Sequence, residues 1–224
     1  MLSVCRQITM TYDFNAQRRQ LLASLVGNGV SDQRVLSALA NIPREAFIDP
    51  FFYRVAYEDR ALPIGMGQTI SQPLMVAMMT QALQLTGSER VLEVGTGSGY
   101  QTAILSRLAS YIYSIERYAE LAYRAAFQLH QLGIQNVSIY ISDGSLGWPE
   151  AAPYDRMVVT AAAPAIPRQL VEQLVMNGLL VIPVGSPERQ QLQVVQRVED
   201  GMRVQSLGGC VFVPLVGEEG WRVP

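Results

Sequence analysis

The side chains that most often perform catalysis or bind metals are scarce in this sequence of 224 residues. It contains one histidine, His130, and two cysteines, Cys5 and Cys210, which lack CxxC spacing. This scarcity excludes a disulfide framework, predicts no metal site, and fits a reducing compartment. A serine hydrolase is also excluded, because the segment around Ser98 lacks the G-x-S-x-G spacing and a histidine partner.

The sequence also lacks a large excess of charge of either sign and long apolar runs. The formal net charge is only -2, so neither nucleic acid nor a membrane is expected as a partner. No apolar stretch is long enough to span a membrane, and residues 1–10 contain Arg6 but no long apolar run, which argues against a signal peptide. With 49% hydrophobic and 16% charged residues, the composition is that of a globular protein. The chain is expected to be cytoplasmic and monomeric.

The first third of the chain has the periodicity of helices. One helix is predicted over residues 15–26, and a second one, capped by Ser31 and ended by Pro43, buries Val35, Leu36 and Leu39. An irregular stretch rich in glycine, proline and specific polar residues follows over residues 59–73. Such stretches are where functional residues concentrate, and a further helix is predicted to begin at Pro73.

From Arg90 onward the pattern alternates between strand and helix. This alternation with short turns predicts a mostly parallel sheet that is covered on both faces. A turn at Asp200-Gly201 separates two later strands that are expected to pair antiparallel at one sheet edge. His130 is predicted to be exposed on its helix. The predicted strands are 91–94, 111–115, 137–141, 155–160, 179–182, 192–198 and 210–215, and the predicted helices are 101–108, 119–132 and 167–175.

A glycine-rich turn joins the first of these strands to its helix. Glycines stand at 95, 97 and 99, whereas the dinucleotide fingerprint G-x-G-x-x-G would place its last glycine where Tyr100 stands. Glu116 follows the next strand, about 20 residues on, where a carboxylate binds ribose hydroxyls. Asp143 follows the third strand and could accept a hydrogen bond from an adenine amino group. Each acid alone would more often be a solvated loop residue, but their order on successive strands favours a nucleoside site.

These segments closely resemble the protein-L-isoaspartate O-methyltransferases, a family of class I S-adenosylmethionine-dependent methyltransferases. The segment Gly67-Gln68-Thr69-Ile70-Ser71 is the most diagnostic, because other class I methyltransferases lack it. The resemblance extends from about the first helix to near the C-terminus. It rests on residues 59–65, 67–73, 91–100, 114–117, 143–144, 160–164, 181–185 and 212–215.

The resemblance implies a reaction and a fold. The reaction is transfer of a methyl group from S-adenosylmethionine to the free carboxylate of L-isoaspartyl residues in damaged proteins and peptides, which initiates their repair. The fold is a Rossmann-like, doubly wound α/β sheet of about seven strands, with an N-terminal helical segment and antiparallel C-terminal edge strands. One domain is expected, with helices and substrate loop at 10–85, a donor-binding core at 86–185 and C-terminal strands at 186–224.

The resemblance also assigns residues to roles. Ser71 occupies the position described as the active-site serine. The donor is expected to contact Gln68, Thr69, Ile70, Glu93, Gly95, Thr96, Gly97, Ser98, Glu116, Asp143 and Gly144. The substrate is expected to bind in extended form to Asp59, Ile64, Thr69, Ser71, Thr160 and Val211. Glu93 would hold either the glycine turn or the charged amino-acid end of the donor.

Two positions depart from the family's pattern, and both concern the substrate side. Leu74 stands where many members have histidine or tyrosine, which weakens any mechanism that needs a histidine. Val211 stands where many have arginine. Methyl transfer to an ionised carboxylate requires alignment more than a general base, so we expect Ser71 to orient the acceptor.

Several alternatives remain open at this stage. Ser71 could instead cap the helix that begins at Pro73, Asp59 could form a surface ion pair with Arg60, and Thr160 could pack at the core edge. Competing functions are a small-molecule methyltransferase of the same fold, an inactive donor-binding relative and, more distantly, a nicotinamide oxidoreductase. The diagnostic segment, the glycines and the two acids favour the isoaspartyl methyltransferase.

Overall fold

The computed structural model describes residues 12–222, and the interpretations of Cys5 and of residues 1–10 lie outside them. An N-terminal group of helices packs on a sheet whose strands alternate with further helices. The helices are α1 (Phe14–Gly27), α2 (Gln33–Asn41), α3 (Pro73–Ala82), α4 (Tyr100–Ser106), α5 (Ala119–Gln131) and α6 (Arg168–Glu172). The strands are β1 (Leu62–Gly65), β2 (Gln68–Ile70), β3 (Arg90–Val94), β4 (Tyr111–Glu116), β5 (Val137–Ile141), β6 (Tyr154–Val159), β7 (Leu174–Ser186), β8 (Arg189–Val198) and β9 (Gly201–Cys210).

The main sheet has seven strands in the order β5-β4-β3-β6-β7-β8-β9. The five strands from β5 to β7 are parallel, and β8 and β9 add to the edge antiparallel. This confirms the predicted Rossmann-like sheet with antiparallel C-terminal strands. The chain runs outward from β3 to β5 and returns to the other side of β3 with β6, so the order reverses between β3 and β6. Ligands of open α/β sheets bind outside the carboxyl ends of the strands at such a point.

Alternating side chains of β3 face two cores. Val91 packs into the core beneath α1 to α5, whereas Leu92 and Val94 pack into the core beneath α6. Both faces of the strand are therefore apolar and buried, which explains why it reads as a nearly continuous hydrophobic run. Glu93 lies on the same face as Val91 and is the exception, fully buried at the carboxyl end of the strand.

Several predicted boundaries were wrong. The second helix is capped by Asp32, which accepts from the Arg34 N–H at 2.9 Å, and not by Ser31. The predicted helix over residues 167–175 ends at Glu172, because Leu174 already begins β7. The stretch 59–73 contains the hairpin of β1 and β2.

The last strand was also misplaced. It was predicted over residues 210–215 but spans Gly201–Cys210, and the turn predicted at Asp200-Gly201 joins it to β8. Residues beyond Cys210 leave the sheet because their backbone hydrogen-bonds to Ala162, beyond the end of β6. His130 is exposed, as predicted. No helix among residues 12–222 has the length and apolar character needed to cross a membrane.

Candidate active site

A cavity opens at the carboxyl ends of β3, β4 and β6, where the strand order reverses; we call it the donor cavity. Its lining joins the glycine turn, the residues after β4, the segment around β2, and a stretch near the C-terminus. The structure therefore brings together most of the positions that the sequence assigned to the donor. The lining residues are Gln68, Thr69, Ile70, Ser71, Val76, Val94, Gly95, Thr96, Gly97, Ser98, Tyr100, Gln101, Ile115, Glu116, Arg117, Tyr118, Gly144, Thr160, Ala161, Val213, Pro214, Leu215 and Val216.

The glycine turn has a backbone that other residues would strain. Gly95 has a φ of 97°, and a Cβ added there would lie 2.3 Å from the Thr160 Oγ1. The Thr160 hydroxyl donates a hydrogen bond to the Gly95 carbonyl at 2.7 Å, while the Gly95 N–H donates to the Ile115 carbonyl at 2.8 Å. These contacts tie the turn to the ends of β4 and β6 and leave its backbone facing the cavity.

Glu116 supports the same turn from β4 and is 5% exposed. One of its carboxylate oxygens accepts the Gly97 N–H at 2.8 Å, and the other accepts the Tyr118 N–H at 3.0 Å. A carboxylate has about four acceptor positions, so lone pairs remain for two hydroxyl groups in the cavity. This arrangement fits the ribose of a nucleoside and would repel a phosphate in that position.

Glu93 lies behind the turn and does not line the cavity. Its Oε2 accepts hydrogen bonds from the hydroxyls of Thr102 at 2.5 Å and Ser114 at 2.6 Å, and the Ser114 hydroxyl lies 2.6 Å from that of Thr96. Its Oε1 has no partner among the described residues. Burial, together with the nearby charge of Glu116, raises the pKa of Glu93 to about 7. The Glu93 carboxylate is therefore linked to the cavity lining indirectly, by hydrogen bonds that run through Ser114 to Thr96.

Asp143 also lies outside the cavity lining, although its neighbour Gly144 is part of it. Its Oδ1 accepts from the Ser145 N–H and hydroxyl at 2.9 and 2.7 Å, and its Oδ2 accepts from the Glu218 N–H at 2.8 Å. Three of its roughly four acceptor positions are thus occupied by protein groups. Its assignment to an adenine amino group stays a prediction.

A second, wider groove opens beside the donor cavity and shares four lining residues with it: Thr69, Ser71, Thr160 and Val213. We call it the substrate groove. It runs toward the end of β9 and the turn between β7 and β8, and Val211 lines it with 76% of its surface exposed. A ligand lying in the groove would meet one in the donor cavity at Ser71.

Ser71 is not the N-cap of α3. The cap position is Gln72, whose side chain makes no capping hydrogen bond, and the Leu74 N–H instead donates to the Asp59 Oδ1 at 2.8 Å. Arg60 pairs with Glu58 at 3.6 Å and not with Asp59. Asp59 therefore anchors the start of the helix that follows Ser71. This contact spans 15 positions of sequence and was not predicted.

Ile64 lies apart from both cavities. It is buried and lines a different groove, next to α5, where its Cδ1 would lie 3.4 Å from a Cβ added at Gly97. It thus packs under the glycine turn. Its assignment to the substrate stays a prediction, as do those of Asp59, Thr160 and Val211.

Several residues that line the donor cavity had not been assigned to the donor, among them Tyr100 and a second group near the C-terminus. Tyr100 is buried directly after the turn, where its ring lies 5.1 Å from the Arg44 guanidinium, and Arg44 donates to the Ala56 carbonyl at 2.9 Å. The second group is Val213–Val216, which reaches the site because the chain folds back over β6. Residues 212–215 were part of the family resemblance, and that signal could have placed them here.

Comparison with known proteins agrees with this geometry. The family model described as Protein-L-isoaspartate(D-aspartate) O-methyltransferase matches residues 16–220. A protein-L-isoaspartate O-methyltransferase 2 from Pelobacter propionicus is 53% identical over 208 residues, covering 91% of this chain and 92% of that protein. A protein-L-isoaspartate O-methyltransferase from Dictyoglomus thermophilum is 50% identical, covering 95% of this chain and 96% of that protein.

Solved structures show the same likeness. A protein-L-isoaspartate O-methyltransferase superposes with a TM-score of 0.81 at 30% identity, covering 91% of this chain and 67% of the other. A Plasmodium falciparum protein assigned to the same enzymes, in complex with S-adenosyl-L-homocysteine, superposes with a TM-score of 0.77 at 25% identity, covering 89% of this chain and 98% of the other.

Proposed function

The chain belongs to the protein-L-isoaspartate(D-aspartate) O-methyltransferase family, and from this premise we propose how its own residues carry out the reaction. The enzyme transfers a methyl group from S-adenosylmethionine to the free carboxylate of L-isoaspartyl residues in damaged proteins and peptides, which initiates their repair. The observation that carries the proposal is the meeting of the donor cavity and the substrate groove at Ser71.

The donor cavity fits S-adenosylmethionine, which supplies a methyl group on a sulfonium, an intrinsically good leaving group. Glu116 would accept hydrogen bonds from the ribose hydroxyls with the lone pairs that Gly97 and Tyr118 leave free. The backbone of Gly95, Thr96, Gly97 and Ser98 faces the amino-acid end of the nucleoside, and Glu93 fixes Thr96 through Ser114. Gly144, which lines the cavity, would lie on the adenine side, where the neighbouring Asp143 would have one lone pair left to accept a hydrogen bond. Gln68, Thr69 and Ile70 would close the cavity beside the methyl group.

The acceptor needs little chemical activation. A carboxylate is already ionised at neutral pH, so no base has to remove a proton from it. The task of the protein is to hold the carboxylate oxygen in line with the methyl carbon and to exclude water. Ser71, at the junction of the two spaces, donates its hydroxyl hydrogen to one carboxylate oxygen and leaves the other oxygen to react. Thr69 and Thr160 form the sides of this junction.

The substrate groove is suited to an extended polypeptide. Its rim carries Glu188 and Arg189, charges of both signs, and the exposed Val211. Asp59 acts by holding the start of α3, and Ile64 by packing beneath the glycine turn. We propose that residues 10–85, 86–185 and 186–224 work as one domain, a cytoplasmic monomer that needs no metal, nucleic acid or membrane. The small net charge of -2 supports this.

A pair of peptides that differ in a single linkage tests the proposed function. The purified protein should methylate a peptide with an L-isoaspartyl residue and leave the matching L-aspartyl peptide unmodified. The free carboxylate of an isoaspartyl residue is bonded directly to a main-chain carbon, whereas a methylene separates that of an aspartyl residue from the main chain, so the two carboxylates cannot take the same position beside Ser71. Transfer of labelled methyl groups and mass spectrometry of the peptides measure this. Methylation of both peptides, or of neither, would exclude the proposal.

Replacing Ser71 by alanine should lower kcat for the isoaspartyl peptide about tenfold, because one hydrogen bond to a charged acceptor is lost. The Kd for S-adenosylhomocysteine should stay within about twofold, since the nucleoside is held elsewhere. Ser71→Thr keeps the hydroxyl and serves as the matched control, with most of the activity retained. Full activity of Ser71→Ala would remove the orienting role.

A further inference from the structure

We propose that Asp143, Ser145 and Gly217 form a latch that holds the C-terminal strap, residues 213–221, against the donor cavity and so controls release of the bound nucleoside. The inference rests on the proposed function, because it takes the ligand of the cavity to be a nucleoside. The three residues act as positioning residues, since none of them lines the cavity.

The strap forms one wall of the donor cavity through Val213–Val216. Its first part is tied to the segment after β6, because the Ala162 N–H donates to the Val213 carbonyl at 2.7 Å and the Leu215 N–H donates to the Ala162 carbonyl at 2.8 Å. The Trp221 indole N–H donates to the same carbonyl at 3.0 Å. Both ends of the strap are thus fixed at Ala162, and its middle projects toward the loop after β5.

The middle of the strap is held by side chains of that loop. The Glu218 N–H donates to the Asp143 Oδ2 at 2.8 Å, and the Glu219 N–H donates to the Ser145 Oγ at 3.0 Å. The Ser145 hydroxyl donates in turn to the Asp143 Oδ1 at 2.7 Å, so the two acceptors form one unit. Ser145 is fully buried. The strap therefore closes over a small polar cluster that binds it through two backbone N–H groups.

Gly217 shows how closely the two segments approach. A Cβ added there would lie 2.0 Å from the Asp143 Oδ1 and 2.4 Å from the Ser145 Oγ. Any side chain at this position would push the strap away from the loop. The absence of a side chain is thus a requirement of the closed arrangement.

The position of the latch connects it to the ligand. Gly144, between the two anchoring residues, lines the cavity, and so does Val216, which immediately precedes Gly217. Opening the cavity on this side separates these two walls and breaks both strap-to-loop hydrogen bonds. A nucleoside can leave by this route only after these hydrogen bonds break, so loss of the latch should speed its release.

Two latch variants and two matched controls test the inference. Gly217→Ala introduces the overlapping Cβ, and Ser145→Ala removes the acceptor of the Glu219 N–H. Glu218→Ala alters the strap but keeps its backbone N–H, and Ser142→Ala removes a hydroxyl from the same loop. Calorimetry and stopped-flow release of S-adenosylhomocysteine should show Kd and koff about tenfold higher in the latch variants and unchanged in the controls.

Measurements of kcat and Tm show whether faster release comes from loss of the latch or from a general loss of stability. At saturating donor, kcat for the isoaspartyl peptide should stay within about twofold in the latch variants, while the KM for the donor rises. Leu25→Ala truncates a buried core side chain of α1 and leaves the strap intact, so it should lower Tm and leave koff unchanged. If Gly217→Ala does not fold, Ser145→Ala carries the test alone.

The outcomes distinguish this inference from the proposed function. Wild-type protein that binds no S-adenosylhomocysteine would overturn the proposed function and the latch with it. Wild-type binding with unchanged koff in both latch variants would overturn the latch alone. Faster release in Leu25→Ala to the same extent as in Ser145→Ala would also overturn it, because the effect would then follow stability.

Discussion

Replacing Gly95 by alanine should raise the Kd for S-adenosylhomocysteine at least about a hundredfold, a loss of roughly 3 kcal/mol or more. The added Cβ would lie 2.3 Å from the Thr160 Oγ1, and the φ of 97° is costly for any residue with a side chain. Relief requires either the turn or Thr160 to move. Both line the donor cavity, and Thr160 lines the substrate groove too, so either movement deforms the site. Calorimetric titration measures the loss.

Two further variants separate the causes of this effect. Gly29 has a nearly equal φ of 91° and no atom within 4 Å of an added Cβ, so Gly29→Ala reports backbone strain alone. It should cost about 1–2 kcal/mol of stability and leave nucleoside affinity unchanged. Gly95→Ala combined with Thr160→Ala removes the overlap but keeps the strain, and should recover part of the affinity. Normal nucleoside binding by Gly95→Ala would contradict the structure of the turn.

The central sheet was predictable because its signals are local. Strands β3, β4, β6 and β7 are buried, so each contains an apolar run between turns. By contrast, nearly every residue of β9 is exposed on both faces, and the strand contains Arg203, Gln205 and three glycines. Its alternation of apolar and polar residues is limited to Met202–Gln205, and both kinds of residue are exposed, so the segment gives only a weak strand signal. The apolar run that follows it was mistaken for the strand but belongs to the strap.

The candidate site was predictable to a similar degree. The glycine turn and Glu116 stand at the ends of consecutive strands, so chain order alone brings them together. The contact of Asp59 with the start of α3 depends on the path of a loop, and no local pattern encodes that path. The same holds for Asp143, whose carboxylate meets Glu218 across 75 positions of sequence.

The free energy of unfolding should decrease by about 3 kcal/mol as the pH rises from below 5 to 8, because of Glu93 alone. Burial raises the pKa of this carboxyl from its ordinary value near 4.5 to about 7 in the folded chain. Between these two values the folded protein retains a proton that the unfolded chain has lost, so increasing pH favours unfolding. Above pH 7 both states are ionised and the decrease ends.

Glu93→Gln removes this titration and closely imitates the protonated side chain. The amide oxygen can accept the hydrogen bonds of Thr102 and Ser114, as the carboxyl Oε2 does. The variant should therefore match the wild type below about pH 4 and be more stable by about 3 kcal/mol at pH 8. Urea denaturation at a series of pH values measures the difference.

Glu89→Gln provides a control, because the pKa of Glu89 is shifted in the opposite direction to that of Glu93. Burial alone would raise the pKa of Glu89, but hydrogen bonds from Thr86 and the Gly87 N–H hold it below its ordinary value. Its ionised form thus stabilises the fold above the unfolded pKa, and that contribution is lost only as the pH falls through the folded pKa, below about 4.5. Glu89→Gln should therefore be less stable than the wild type by a constant amount from pH 5 to 8. The prediction for Glu93 would be contradicted if the difference in free energy of unfolding between Glu93→Gln and the wild type also stayed constant from pH 5 to 8. Glu93 would then be ionised over the whole range, with its charge balanced inside the fold.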